Sequence, residues 1–119
     1  MSFNTTRMAA GMNAAAATIT HVAWSENGTT ESTNLARTAV TMKTATTANP
    51  SVVSNNGALE SAAATGDCTI SHFAFHDGTG TVTTWVALSS PAALLTGGKI
   101  TAADGALAEN WHQTTSAPA

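Results

Sequence analysis

The sequence predicts a mainly β protein, a small antiparallel β-sandwich or barrel with one N-terminal helix. Apolar and polar residues alternate over several short segments, as they do in strands with one buried face. Asn-Gly and Asp-Gly pairs, which favour tight turns, separate these segments. One nine-residue segment occurs twice, and this repeat predicts two related strand-turn-strand halves with pseudo-twofold character.

The repeat is the strongest internal signal in the chain. Residues 18–26 align without gaps on residues 69–77, and the Thr, Ile, His and Ala positions are identical. Because both copies alternate with period two and run into a Gly-containing turn, each is predicted to be a strand. Their large apolar side chains are expected to face the core: Val22, Trp24, Phe73 and Phe75.

A helix is predicted before the first copy of the repeat. Residues 7–17 are rich in strong helix formers, and Met8 and Met12 fall on one helical face. Asn4 or Thr5 could cap the helix at its N-terminus.

Further strands are predicted from the same alternation and from the turn residues between segments. The expected strand segments are 18–25, 35–47, 51–54, 68–76 and 81–89, followed by short elements at 99–101 and 106–108. The strand at 81–89 would end before Pro91 and place Val82, Thr84, Val86 and Leu88 on one face. Two segments remain open: 44–56 fits a strand or a loop, and 58–62 fits a strand or a helical turn.

The length of 119 residues corresponds to one domain. We divide it into an N-terminal arm and helix (1–17), a β-sandwich (18–110) and an extended tail (111–119). The tail lacks core residues after Trp111, which follows the last predicted strand. Trp111 is therefore the candidate subunit contact, since a buried indole can dominate a small interface.

The composition favours a subunit of an assembly. Charged residues make up 9% of the chain, whereas 25 Ala and 22 Thr supply 47 of its 119 positions. Such side chains are buried in a protein contact without desolvating a charge. Only four Lys and Arg are present at a net charge of −3, so the chain lacks the basic surface that nucleic acid binding requires. No long apolar run predicts a membrane span, and no targeting signal is evident.

A metal site is considered and disfavoured. Cys68, His72 and His76 are four residues apart on a predicted strand, which would put them on one face. Residues at this spacing are about 13 Å apart, too far to share one zinc ion without a bend or further ligands such as Asp77 or His112. The sequence instead predicts that His21 and His72 are partly buried, hydrogen-bonded strand residues on the face of Ala23 and Ala74.

No catalytic or cofactor site is predicted. Ser, His and acidic residues are present, but no Gly-x-Ser-x-Gly turn exposes a nucleophile. The glycines at 78–80 and 97–98 lack the strand-to-helix setting of a phosphate loop. Four aromatic residues follow the strand alternation and are expected in the core rather than on a sugar-binding surface: Trp24, Phe73, Phe75 and Trp85. The chain is therefore predicted not to be an enzyme.

Four sequence blocks resemble a family of small β-sandwich virion proteins of tailed bacteriophages, common among phages of actinobacteria. The blocks are residues 19–24 (ITHVAW), 35–40 (LARTAV), 70–81 (ISHFAFHDGTGT) and 101–108 (TAADGALA). The chain departs from the family pattern at 44–56, where the usual continuous apolar strand is missing. The family supplies no catalytic residues to carry over.

The resemblance implies a capsid decoration (cement) protein. Such a protein would bind the outside of the major capsid shell and contact copies of itself as a homo-oligomer on the particle. It would be located in the virion after synthesis in the cytoplasm of the bacterial host. The alternatives are a minor tail or tail-fibre module and, from a different class, a carbohydrate-binding module or small hydrolase.

Overall fold

The computed structural model describes residues 17–44 and 51–111, and this part of the chain is built from antiparallel strands without a helix. The eight strands are β1 His21–Ser25, β2 Thr38–Ala39, β3 Ser51–Ser54, β4 Leu59–Glu60, β5 Cys68–His76, β6 Val86–Leu94, β7 Thr101–Ala102 and β8 Ala108–Trp111. The helix predicted over 7–17 lies, except for its last residue, outside the described residues.

One four-stranded sheet, in the order β2-β1-β5-β6, contains both copies of the repeat. β1 and β5 are its central strands. β2 pairs with the outer side of β1, and β6 pairs with the outer side of β5. Two smaller two-stranded sheets pair β3 with β8 and β4 with β7. All of these pairings are antiparallel.

The register between β1 and β5 relates the two copies by a local twofold axis. Ala23 pairs directly with Ala74, which is its equivalent in the repeat. Val22 pairs with Phe75 and Trp24 pairs with Phe73, so each pair becomes the other when the copies are exchanged. An antiparallel pair has this symmetry only about its central residues, and here they are the two repeated alanines.

The main core lies on one face of the four-stranded sheet and also contains Leu59 of β4 and Ala102 of β7. Val22 and Trp24 are fully buried, Phe73 is nearly so, and Phe75 packs against them, as predicted. Among the described residues, the buried members of this core are Val22, Trp24, Leu35, Ala64, Cys68, Ile70, Phe73, Ile100, Ala102 and Leu107. A second, smaller core on the opposite face contains Ala23, Ala74 and Val82, with Trp85 packed against it.

The strand predicted over 81–89 is wrong in its bounds and in the facing of Val82, whereas Val86 and Leu88 share the main-core face as predicted. β6 runs from Val86 to Leu94 and includes Pro91, which was expected to follow the strand. Proline is tolerated because β6 is an edge strand whose register with β5 shifts between Ile70 and His72, where the ladder is interrupted. Val82 does not share a face with Val86, because it packs in the second core.

Of the strand predicted over 35–47, the described residues 35–44 contain only the two-residue strand Thr38–Ala39. Leu35 is buried in the main core outside any strand, and Met42 makes an isolated bridge to Asn55. The other segments fit better: 51–54 and 68–76 form strands as predicted, and the segment left open at 58–62 contains the short strand β4. Residues 45–50, within the other open segment, lie outside the described residues.

Candidate functional site

The repeated histidines are held in the same way in both copies. The hydroxyl of Thr20 lies 2.8 Å from Nδ1 of His21, and the hydroxyl of Ser71, its repeat equivalent, lies 2.6 Å from Nδ1 of His72. Both rings are half-buried. The prediction of partly buried, hydrogen-bonded strand histidines is thus confirmed.

Each histidine ring is covered by a glycine from the turn that follows the other copy. A Cβ placed on Gly28 would lie 2.8 Å from the His72 ring, and one placed on Gly78 would lie 3.1 Å from the His21 ring. Gly28 also has a φ of +74°, a backbone conformation that residues with a Cβ rarely adopt. The turn after each copy of the repeat therefore packs against the histidine of the other copy.

Arg37 joins the turn after β5 to the segment after β1. Its guanidinium makes a bidentate ion pair with Glu31, with Nε–Oε2 and Nη2–Oε1 distances of 2.9 and 2.7 Å. It also donates to the backbone carbonyls of Asp77 and Gly80. The hydrogen bond to Glu31 raises the pKa of Arg37, so the group stays charged. No residue spacing in the sequence indicates this role, because the carbonyls that Arg37 binds come from a distant segment.

Asn55 is a buried polar residue that sequence reasoning missed. Its Nδ2 donates to the carbonyls of Gly57 and Ala103 at 2.8 and 3.0 Å, and its Oδ1 accepts from the N–H of Leu107 at 3.0 Å. With no exposed surface, its side chain depends on these partners. Asn55 therefore fixes the 103–107 turn against the end of β3.

Asp104 completes this junction at the surface. Its Oδ1 accepts the N–H of Gly57 at 2.7 Å, and its Oδ2 lies 2.9 Å from Nζ of Lys43. These two contacts, with the backbone hydrogen bond contributing most, lower the pKa of the Asp104 carboxyl.

The prediction that Cys68, His72 and His76 share one face of the strand is wrong for Cys68. Cys68 packs in the main core with Phe73, whereas His72 lies on the opposite side of the strand. The register shift between Ile70 and His72 breaks the alternation that the prediction assumed. Burial raises the pKa of the Cys68 thiol. Within 17–44 and 51–111, no three His, Cys, Asp or Glu residues form a metal-binding group.

The described aromatic side chains are used in packing. Trp24 is fully buried and donates through Nε1 to the hydroxyl of Thr38 at 3.1 Å. Phe73 and Phe75 make an edge-to-face contact with ring centroids 5.2 Å apart. Trp85 is half-buried against the second core. These positions confirm the prediction that the aromatic residues belong to the core.

The segment around β6 carries no charge of its own, although the acids Glu26 and Asp67 line the same cavity as Ala93 and Leu95. Residues 78–98 contain no Asp, Glu, Lys or Arg. Five residues of β6 are exposed, namely Ala87, Ser89, Ser90, Pro91 and Ala93. Leu95, directly after β6, is 74% exposed, the largest exposure of a large apolar side chain in the described part of the chain. We call residues 86–95 the β6 surface.

Trp111 is placed differently from the predicted extended tail. Its backbone pairs with that of Ser51, so it ends β8 instead of following the last strand. The pairing of β8 with β3 therefore fixes the backbone position of Trp111. Residues 112–119 lie outside the described residues. Its role as a subunit contact stays a prediction.

Comparison of the chain with protein-family models, curated proteins and solved structures returned no significant match. In the described ranges, no helix is long and apolar enough to cross a bilayer.

Proposed function

We propose that this chain is a structural protein of a bacteriophage virion, a decoration protein that binds the outside of the major capsid shell and contacts copies of itself. The four sequence blocks that resemble small virion proteins support the proposal, and the mainly antiparallel β fold agrees with it. In this proposal the sheets form the small β-sandwich of that family, built from two related halves. The chain is not an enzyme and uses no cofactor.

The observation that carries the proposal is the β6 surface. It combines an edge strand with an exposed leucine, and it lies within residues 78–98, a stretch of 21 residues without a charge. Small uncharged side chains can be covered by another protein at low desolvation cost. Pro91 lacks an N–H and the register shift interrupts the ladder, so this edge is poorly suited to adding a further strand. We therefore expect the shell to contact the side chains of the β6 surface.

The charged residues support a protein partner over a nucleic acid. Among the described residues, each basic side chain already pairs with an acid of the same chain: Arg37 with Glu31, Lys43 with Asp104 and Lys99 with Glu60. Binding of a phosphate backbone depends on basic groups that can replace counterions. The paired side chains are committed to internal contacts and are poorly available for that purpose.

A tail or tail-fibre module is the alternative position on the same particle. It would use the same uncharged surface against a different partner. The two positions differ in which purified structure the protein binds.

The proposal can be tested by adding the purified protein to capsids and, separately, to tails of the phage that encodes it. Ala93→Glu places a charge on the β6 surface, and Ala62→Glu is the matched control at an exposed alanine outside the strands. We expect the parent protein and Ala62→Glu to co-sediment with capsids and Ala93→Glu to lose at least about tenfold in affinity, since burying an unpaired charge is costly.

Thermal melting of the two variants checks that both are folded. Binding to tails in place of capsids would favour the alternative position. Binding to neither structure, or equal capsid binding by both variants, would contradict the proposal.

A further inference from the structure

The chain contains two Asn-Gly pairs, Asn27-Gly28 and Asn56-Gly57, in turns with different hydrogen bonding. Asn-Gly pairs are the usual sites of spontaneous deamidation, because glycine has no Cβ to hinder the approach of its nitrogen. From the contrast between the two turns, we propose that Asn56 is a site of spontaneous deamidation in the folded protein and that Asn27 is protected.

The reaction needs only water as co-reactant. The backbone nitrogen of the glycine attacks Cγ of the asparagine, the N–Cγ bond forms, and the Cγ–Nδ2 bond breaks with release of ammonia. Water then opens the five-membered succinimide at either carbonyl. One opening gives aspartate, and the other gives isoaspartate, in which the main chain runs through the former side chain.

The side chain of Asn27 is held away from this reaction. Its Oδ1 accepts the backbone N–H groups of Thr29 and Thr30 at 2.8 and 2.9 Å, and its Nδ2 donates to the Thr30 hydroxyl at 3.1 Å. The following Gly28 packs tightly on the His72 ring. Rotation of the Asn27 amide toward the Gly28 nitrogen would break these contacts together.

Asn56 has none of these restraints. It is exposed, and its side chain makes no hydrogen bond with the described residues. A Cβ built on Gly57 would meet nothing within 4 Å, so the turn has room for the ring. The glycine nitrogens do not distinguish the two sites, because each donates one hydrogen bond to a side chain. Gly28 donates to Ser25 Oγ at 2.9 Å, and Gly57 donates to Asp104 Oδ1 at 2.7 Å. The freedom of the asparagine side chain is therefore the main difference between the sites.

Deamidation at Asn56 would act on the junction around Asn55. Formation of isoaspartate inserts a carbon into the main chain between Asn55 and Gly57, whose carbonyl accepts the Asn55 side chain. It also adds a negative charge next to the turn that Asp104 binds. We expect the aged protein to lose the fixed position of the 103–107 turn.

The test is peptide mapping by mass spectrometry after incubation at mildly alkaline pH. Trypsin places Asn27 and Asn56 in different peptides, because Arg37 and Lys43 separate them. We expect Asn56 to convert at least about tenfold faster than Asn27 in the folded protein, since two or more ordinary hydrogen bonds of Asn27 must break first. Asn56→Ser is the control that removes the reacting site.

A parallel incubation in denaturant separates the effect of the fold from that of the sequence. There the two Asn-Gly sites should convert at similar rates. Equal rates in the folded protein, faster conversion of Asn27, or a rate ratio that denaturation leaves unchanged would overturn the proposal. The result is independent of whether the chain binds a capsid.

Discussion

At the scale of single residues, close contacts between turns and side chains add to the apolar cores. The two glycines that cover the repeated histidines and the buried Asn55 are the main examples. Each holds a turn against a strand at a place where the core contributes little. Substitutions at these residues should therefore cost more than their small size suggests.

Gly28→Ala and Gly57→Ala form a matched pair for measuring one such contact. Both glycines have positive φ, but only Gly28 faces a ring at 2.8 Å. We expect Gly57→Ala to lower the free energy of unfolding by about 1 kcal/mol from the backbone conformation alone, and Gly28→Ala by roughly 2–4 kcal/mol. Chemical denaturation measures both. Equal losses would show that the His72 contact is unimportant.

The loss of stability at acid pH should depend on the surface carboxylates that accept backbone hydrogen bonds in the folded protein. The backbone N–H of Thr79 lowers the pKa of Asp77, as that of Gly57 lowers the pKa of Asp104. A lowered folded-state pKa gives stability that is present above the unfolded value of about 4 and is lost as pH falls through the folded value. Asp104→Asn should therefore show a smaller drop in Tm between about pH 5 and pH 3 than the parent protein.

Glu109→Gln is the control for this pH profile, because it removes a carboxylate outside both contacts. Its Tm should fall with acidification as steeply as that of the parent protein. A profile for Asp104→Asn that is parallel to the parent profile would contradict the assignment.

At the scale of the elements, the repeat explains the centre of the fold. Exchange of the two copies returns the same β1–β5 pairing, with Ala23 opposite Ala74. Both alanines are buried in the second core, under the segment that contains Val82 and Trp85. Small residues at these positions let that segment approach the sheet.

Ala74→Val should therefore be destabilising although valine favours strands. We expect a loss of about 1–3 kcal/mol in the free energy of unfolding, because the added methyl groups have no space in the second core. Ala93→Val, at an exposed position of β6, is the control and should change stability by less than about 0.5 kcal/mol. A neutral Ala74→Val would mean that the second core is loosely packed.

The sequence predicted the elements that carry an uninterrupted local pattern. β5 was predicted with its observed bounds because nine residues alternate between two turn signals. β6 was misplaced because Pro91 reads as a strand end, and only the tertiary structure shows that it lies at an interruption of an edge strand. The contacts of Arg37 and Asn55 join distant segments, so no local periodicity could reveal them.

At the scale of the whole molecule, the described part of the chain divides into a restrained side and an uncharged side. Ion pairs and buried polar contacts hold the turns around Arg37 and Asn55. The β6 surface has neither charges nor a covering strand among the described residues. Under the proposed function, neighbouring subunits would contact the uncharged side.

Trp111→Ala tests whether the end of β8 takes part in such a contact. The variant keeps the backbone pairing with Ser51, which truncation before this residue would remove. We expect retention on particles to fall at least about tenfold, as for an aromatic hot spot, with little change in the Tm of the free protein. Unchanged retention, or a large loss of Tm with retention intact, would contradict the assignment of Trp111 as a subunit contact.

The most direct test of the proposed virion role is a cryo-EM reconstruction of purified particles of the phage that is proposed to encode this chain. We expect density that fits the four-stranded sheet on the outer surface of the capsid shell, with the β6 surface against the major capsid protein. Density for the chain only on the tail or its fibres would contradict the capsid position. Absence of the chain from purified particles would contradict a virion role altogether.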